Sequence, residues 1–132
     1  MSPRRSVSIL LVDDDAGMVD TLTDILEAVH HRVCAAGTGA TAVAALAATP
    51  VDVVLMDIQM PGLNGVQALR AMRDRAPGLP ILMMSAYTRD ELVEEAERIS
   101  GRPVLRKPLD VPEVLALIEE IGDHERGAEA AR

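Results

Sequence analysis

Apolar residues fall into five short continuous runs, separated by longer stretches in which they recur every three or four positions. The runs are residues 7–12 (VSILLV), 32–36 (RVCAA), 51–57 (VDVVLMD), 81–85 (ILMMS) and 104–106 (VLR). Unbroken β-branched and aliphatic runs of this length suit strands buried on both faces. Between them, Met18, Leu22, Ile25, Leu26 and Val29 lie on one helical face, and Thr38 opens an alanine-rich helix that must stop before Pro50. Asn64 with Gln67 three residues on makes a capping pattern in front of Val66, Leu69 and Met72, and Pro77 and Pro80 end that helix. Thr88 and Glu91 repeat the pattern before Leu92, Val93, Ala96 and Ile99. A last helix starts around Asp110, Pro112 and Glu113, buries Val114, Leu115, Ile118 and Ile121, and is expected to end at Gly122. The domain is thus placed at residues 1–121, with 122–132 as a flexible charged tail.

Five strands alternating with five helices predict an α/β fold, a doubly wound five-stranded parallel sheet, because parallel neighbours require helical crossovers of one hand. The 132 residues suffice for one domain, and 48% hydrophobic with 26% charged residues is the balance of a folded chain. A net charge of −8 repels phosphate backbones and anionic lipid, and one aromatic residue, Tyr87, leaves no platform for stacking bases. Direct nucleic-acid and membrane partners are therefore not expected. The lone cysteine, Cys34, excludes an internal disulfide and reads as a small buried strand residue. No apolar stretch is long enough for a signal or a membrane span, so a cytoplasmic location is expected. His30 and His31, adjacent in a short connection, read as a solvated turn, and Glu91, Glu94, Glu95 and Glu97 as a solvated acidic helix face.

Sheets of this class bind ligands at the carboxyl ends of their strands. There the sequence places Asp13, Asp14 and Asp15, then Asp57, Ser85 and Lys107. Carboxylates gathered at one place repel unless a cation joins them, and an oxygen-only set suits Mg²⁺. With its charge screened, a carboxylate can attack phosphorus, and Asp57, alone at its strand end, is the candidate nucleophile. Lys107 as a point charge and Ser85 as a hydroxyl can hold the phosphoryl oxygens. Lys107 is the only lysine among thirteen basic residues, a placement chance would give about one time in thirteen.

Four segments carry a family resemblance: VDDDAGMVDTL from Val12, LMDIQMPGLNG from Leu55, MSAY from Met84 and RKPL from Arg106. Together they resemble the signature segments of bacterial two-component response-regulator receiver domains, in the single-domain arrangement of chemotaxis regulators, across residues 8–121. The resemblance implies a flavodoxin-like (βα)5 fold with strand order 2-1-3-4-5. It implies that Asp57 accepts a phosphoryl group from a sensor histidine kinase or phosphotransfer protein. Asp13, Asp14, Asp57 and the backbone carbonyl of Gln59 would then hold Mg²⁺. It further implies that Lys107, before a cis peptide at Pro108, contacts the phosphoryl group, that Ser85 moves to bond it, and that Gln59 and Tyr87 flank it. The output would be altered binding to a downstream protein, with a homodimer possible, and not conventional enzymatic turnover.

One departure stands out. Val104 occupies the position where receivers usually carry an aromatic ring whose rotamer reports phosphorylation, and a valine has no ring to swing. Tyr87 is the candidate to take over part of that role. A phosphorylation-independent dimerisation or docking module is the alternative reading. An aspartate-dependent phosphatase would need an acid two residues after the nucleophile, where Gln59 stands. An amino-terminal piece of a DNA-binding regulator is disfavoured by the length of 132 residues.

Overall fold

In the computed structural model, residues 6–62, 64–86 and 91–130 are described, with side chains described through Asp123. The strands are β1 (Ser8–Val12), β2 (Arg32–Ala36), β3 (Val53–Asp57), β4 (Ile81–Ser85) and β5 (Leu105–Arg106). They alternate with α1 (Ala16–Ala28), α2 (Gly39–Ala48), α3 (Gly65–Arg75), α4 (Glu91–Ser100) and α5 (Val111–Ala130). The strands form one parallel sheet in the order β2-β1-β3-β4-β5.

Alternation along the central strands divides the apolar side chains between two cores. Leu10, Val12, Val54, Met56, Ile81 and Met83 pack with Val66, Leu69 and Met72 of α3 and with Val93 and Ala96 of α4. Their neighbours Ile9, Leu11, Val53, Leu55, Leu82 and Met84 face Leu22 and Leu26 of α1 and Val114, Ile118 and Ile121 of α5. Burying both faces is what turns β1, β3 and β4 into unbroken apolar runs.

The helix starts follow the sequence. Asp15 caps α1 by accepting from the Met18 N–H, and Thr38 and Thr41 form a reciprocal capping box on α2. Asn64 and Gln67 do the same for α3. The expected Thr88 cap of α4 lies outside the described residues, as does Tyr87. No described helix is long and apolar enough to cross a membrane.

Several expectations are corrected. β3 starts at Val53, not at residue 51, because Asp52 spends its carboxylate on the Ser8 N–H at 2.8 Å. β5 shrinks to Leu105–Arg106, since the Val104 N–H donates instead to the Glu97 carboxylate at 2.9 Å. Glu97 and Glu95, which pairs with Arg70, thus bind protein groups; Glu91 and Glu94 are exposed as expected. Cys34 is exposed, not buried, because β2 is an edge strand. His31 is buried at 6% exposure, and its Nδ1 accepts from the Val7 N–H at 3.1 Å, whereas His30 is exposed at the turn with a φ of 72°.

Gly122 does not end the last helix, which continues to Ala130. A Cβ at residue 122 would lie 2.9 Å from the Val7 side chain, so this glycine answers a packing need between α5 and the residue that leads into β1. Glycine inside a helix costs about 1 kcal/mol relative to alanine, which close packing can offset.

Candidate functional site

The carboxyl ends of β1, β3, β4 and β5 converge because neighbouring strands end in register and are tied there by backbone bonds. Asp57 lies opposite Met84, and Ser85 opposite Arg106. The Ile58 N–H donates to the Met84 carbonyl and the Lys107 N–H to the Ser85 carbonyl, both at 2.9 Å. These bonds carry the strand ends into the loops without fraying. The loop after β3 returns so closely that the Gly65 N–H donates to the Ile58 carbonyl at 2.9 Å. A Cβ at Gly65 would fall 2.3 Å from the Asp57 carbonyl oxygen and 2.7 Å from the Ile58 Cα. Gly65 therefore seats the start of α3 against the backbone of Asp57, a role that no local pattern signalled.

Lys107 is the hub of the polar cluster. Its ammonium donates to Asp13 Oδ2 at 2.6 Å and to Asp57 Oδ2 at 2.9 Å. The other oxygens of the two carboxylates are also engaged: Asp13 Oδ1 accepts from the Asp15 N–H at 2.9 Å, and Asp57 Oδ1 from the Gln59 N–H at 3.1 Å. Asp13, Asp57 and Ser85 are buried, at 3%, 5% and 1% exposure. Asp14 is exposed at the mouth, yet carboxylate oxygens of Asp13, Asp14 and Asp57 lie within 4.8 Å of one another. Ser85 Oγ donates to Gln59 Oε1 at 2.9 Å, and Lys107 precedes a cis peptide to Pro108. Val104 is half-buried.

Burial acts on these charges in opposite senses. It pushes the Asp57 carboxyl above its ordinary value, with the neighbouring Asp13 charge adding to the effect and the hydrogen bonds from Lys107 and Gln59 opposing it. Burial alone would lower the Lys107 ammonium, but the hydrogen bonds to Asp13 and Asp57 outweigh it and raise the pKa. Lys107 is a permanent cation at neutral pH. Three carboxylates against one ammonium leave a formal local charge of −2 when all are ionised. Hard oxygen donors with that deficit fit Mg²⁺, which accepts one or two carboxylates and keeps several waters. The donor set contains no sulfur and no imidazole, which disfavours softer metals.

A parallel sheet with an acidic pocket, a lone ammonium and a hydroxyl at its carboxyl edge defines a flavodoxin-like domain with a candidate cation site at that edge. The sequence matches the response regulator receiver domain family over residues 9–119, and the chain belongs to that family. It is 34% identical over 113 residues to the response regulator protein FleR of Pseudomonas aeruginosa, covering 86% of this chain and 24% of that protein. It is 32% identical over 116 residues to the DNA-binding transcriptional regulator NtrC of Escherichia coli, covering 88% of this chain and 25% of NtrC. The chain thus spans about a quarter of the length of these curated relatives. Among solved structures, the signal receiver domain of an HD domain-containing protein from Pseudomonas fluorescens superposes with a TM-score of 0.86. That match has 22% identity and covers 93% of this chain and 99% of the other, which supports the fold. Receiver domains are signalling modules of two-component systems, and an acidic Mg²⁺ pocket and a phosphoaspartate are typical of them.

Proposed function

We propose that this receiver is a phosphorylation-dependent switch in which Asp57 is the phosphoacceptor. The observation that carries the reading is the placement of Asp57: a buried carboxylate at the end of β3, 2.9 Å from the only lysine, beside two further carboxylates. An Asp57 oxygen attacks the phosphorus of a phosphohistidine. A P–O bond forms, the P–N bond breaks, and the electron pair leaves with the imidazole, which takes up a proton from water. Asp13, Asp14, Asp57 and the backbone carbonyl of Gln59 would hold Mg²⁺, which when bound screens the carboxylate charge and polarises the phosphoryl oxygens. The Lys107 ammonium, held between Asp13 and Asp57, is positioned to follow the new charge onto the phosphoryl group. Ser85, fixed at the end of β4, supplies a neutral donor from another side.

The donor in this reading is a histidine kinase or phosphotransfer protein, and the output is altered affinity for a protein. The net charge of −8 argues against direct contact with nucleic acid by this domain. Acetyl phosphate with Mg²⁺ tests the chemistry, read by intact mass. One added phosphoryl group is expected on the wild type, with none on Asp57→Asn or after chelation; labelling of Asp57→Asn at the wild-type rate would remove Asp57 as acceptor. A docking module that works without phosphate is the second reading, favoured by the ringless Val104. Identical partner affinity before and after labelling would favour it.

A further inference from the structure

Ser85 and Gln59 are joined in a way that bears on how readily a phosphoryl group is accepted. Ser85 Oγ donates to Gln59 Oε1 at 2.9 Å, so in this state the hydroxyl is directed at an amide. The amide is oriented for this bond at the expense of its other end: Gln59 Nε2 is buried with no hydrogen-bond partner among the described residues. A side-chain amide has donor and acceptor ends of nearly the same shape, and it settles with the better-satisfied combination inward. Here the acceptor end faces the Ser85 hydroxyl, and the donor end has no partner among the described residues.

Resting on the phosphoacceptor reading above, we propose that Gln59 is a positioning residue whose side-chain carbonyl latches the Ser85 hydroxyl away from Asp57, and that phosphoryl binding must break this latch. A single O–H can be given fully to only one acceptor. For Ser85 to donate to a phosphoryl oxygen it must leave Oε1, and the phosphorylated state is disfavoured by the net strength of the lost bond. The Gln59 side chain thereby sets the threshold of the switch. Its backbone has a separate task, since its N–H donates to Asp57 Oδ1 at 3.1 Å and is unchanged by a side-chain substitution.

The test is a double-mutant cycle of Gln59→Met and Ser85→Ala. The methionine keeps the length of the side chain but removes the acceptor. Affinity for beryllofluoride, a phosphoryl mimic, is measured by calorimetry in saturating Mg²⁺. Gln59→Met is expected to tighten binding about three- to ten-fold, the net worth of one neutral hydrogen bond, when Ser85 is present, and to leave it unchanged when residue 85 is alanine. Without ligand, the thermal unfolding midpoints of the same four proteins should show Gln59 and Ser85 to be coupled. Unchanged or weaker binding by Gln59→Met with Ser85 present, or additive midpoints, would overturn the latch while leaving Asp57 as acceptor. A wild type that binds no beryllofluoride and takes no label from acetyl phosphate would overturn the phosphoacceptor reading and the latch with it.

Discussion

The two ends of the sheet both bury polar groups, and they do so on opposite terms. At the amino-terminal end, side chains complete the backbone. Asp52 Oδ2 takes the Ser8 N–H at 2.8 Å, His31 Nδ1 takes the Val7 N–H at 3.1 Å, and Ser6 Oγ donates to the His30 carbonyl at 2.6 Å. The first two contacts give partners to backbone N–H groups at the buried entry to β1, and the third closes the turn on the exposed side. At the carboxyl end, charge is set against charge: two buried carboxylates share one ammonium, and burial holds the Asp57 carboxyl above its ordinary value. One end stabilises the fold, while the other stores an imbalance of negative charge that an incoming cation can relieve.

The comparison is tested most sharply at Asp57. Besides abolishing labelling, Asp57→Asn should raise the thermal midpoint at neutral pH by a few degrees. The sign follows from the raised pKa: the fold favours the protonated carboxyl, so this contribution to stability is present in acid and is lost as the pH rises through the folded-state value. The advantage of the asparagine variant should shrink as the pH falls toward 3.8, the ordinary value. A variant less stable than wild type at neutral pH would refute the imbalance.

Gly65→Ala comes next. Its Cβ would press on the Asp57 carbonyl, so unfolding should cost about 3 kcal/mol less, a drop of roughly 10 °C, and labelling should slow because the backbone of the proposed acceptor is displaced. At the other end, His31→Ala should cost about 1–3 kcal/mol by stranding the buried Val7 N–H, with labelling by acetyl phosphate unchanged. Slower labelling there would show that the two ends are not independent. The smallest effect is expected from Asp15→Ala, which removes the cap of α1 at about 1 kcal/mol and leaves Asp13 in place, since the residue 15 backbone N–H still reaches Asp13 Oδ1. Circular dichroism melts and intact mass would check all three.

Much of this arrangement could be read from the sequence, and the remainder shows where local patterns stop being informative. Strands buried on both faces announce themselves as unbroken apolar runs, and Asn64 with Gln67 marks a helix start because capping is a local event. Asp13, Asp57, Ser85 and Lys107 were findable since strand ends in a parallel sheet share one edge. Burial of His31 and exposure of Cys34 were not, because which strand lies at the edge and which turn packs against the residues leading into β1 are properties of the whole topology. Gly122 misleads for a related reason: a local stop signal is indistinguishable from a glycine chosen for its contact with Val7. Gly65 sits silently inside a capping motif, where only the return of the chain onto Asp57 reveals its purpose.

The solitary lysine has a practical corollary. Apart from the chain's own α-amine, Lys107 Nζ is the sole primary amine, and it is clamped between two carboxylates. Acylating reagents that attack free amines would therefore footprint one atom of one pocket. The rate at which that nitrogen is modified becomes a meter of how tightly the pocket is closed, in a molecule that has no tryptophan with which to signal its state.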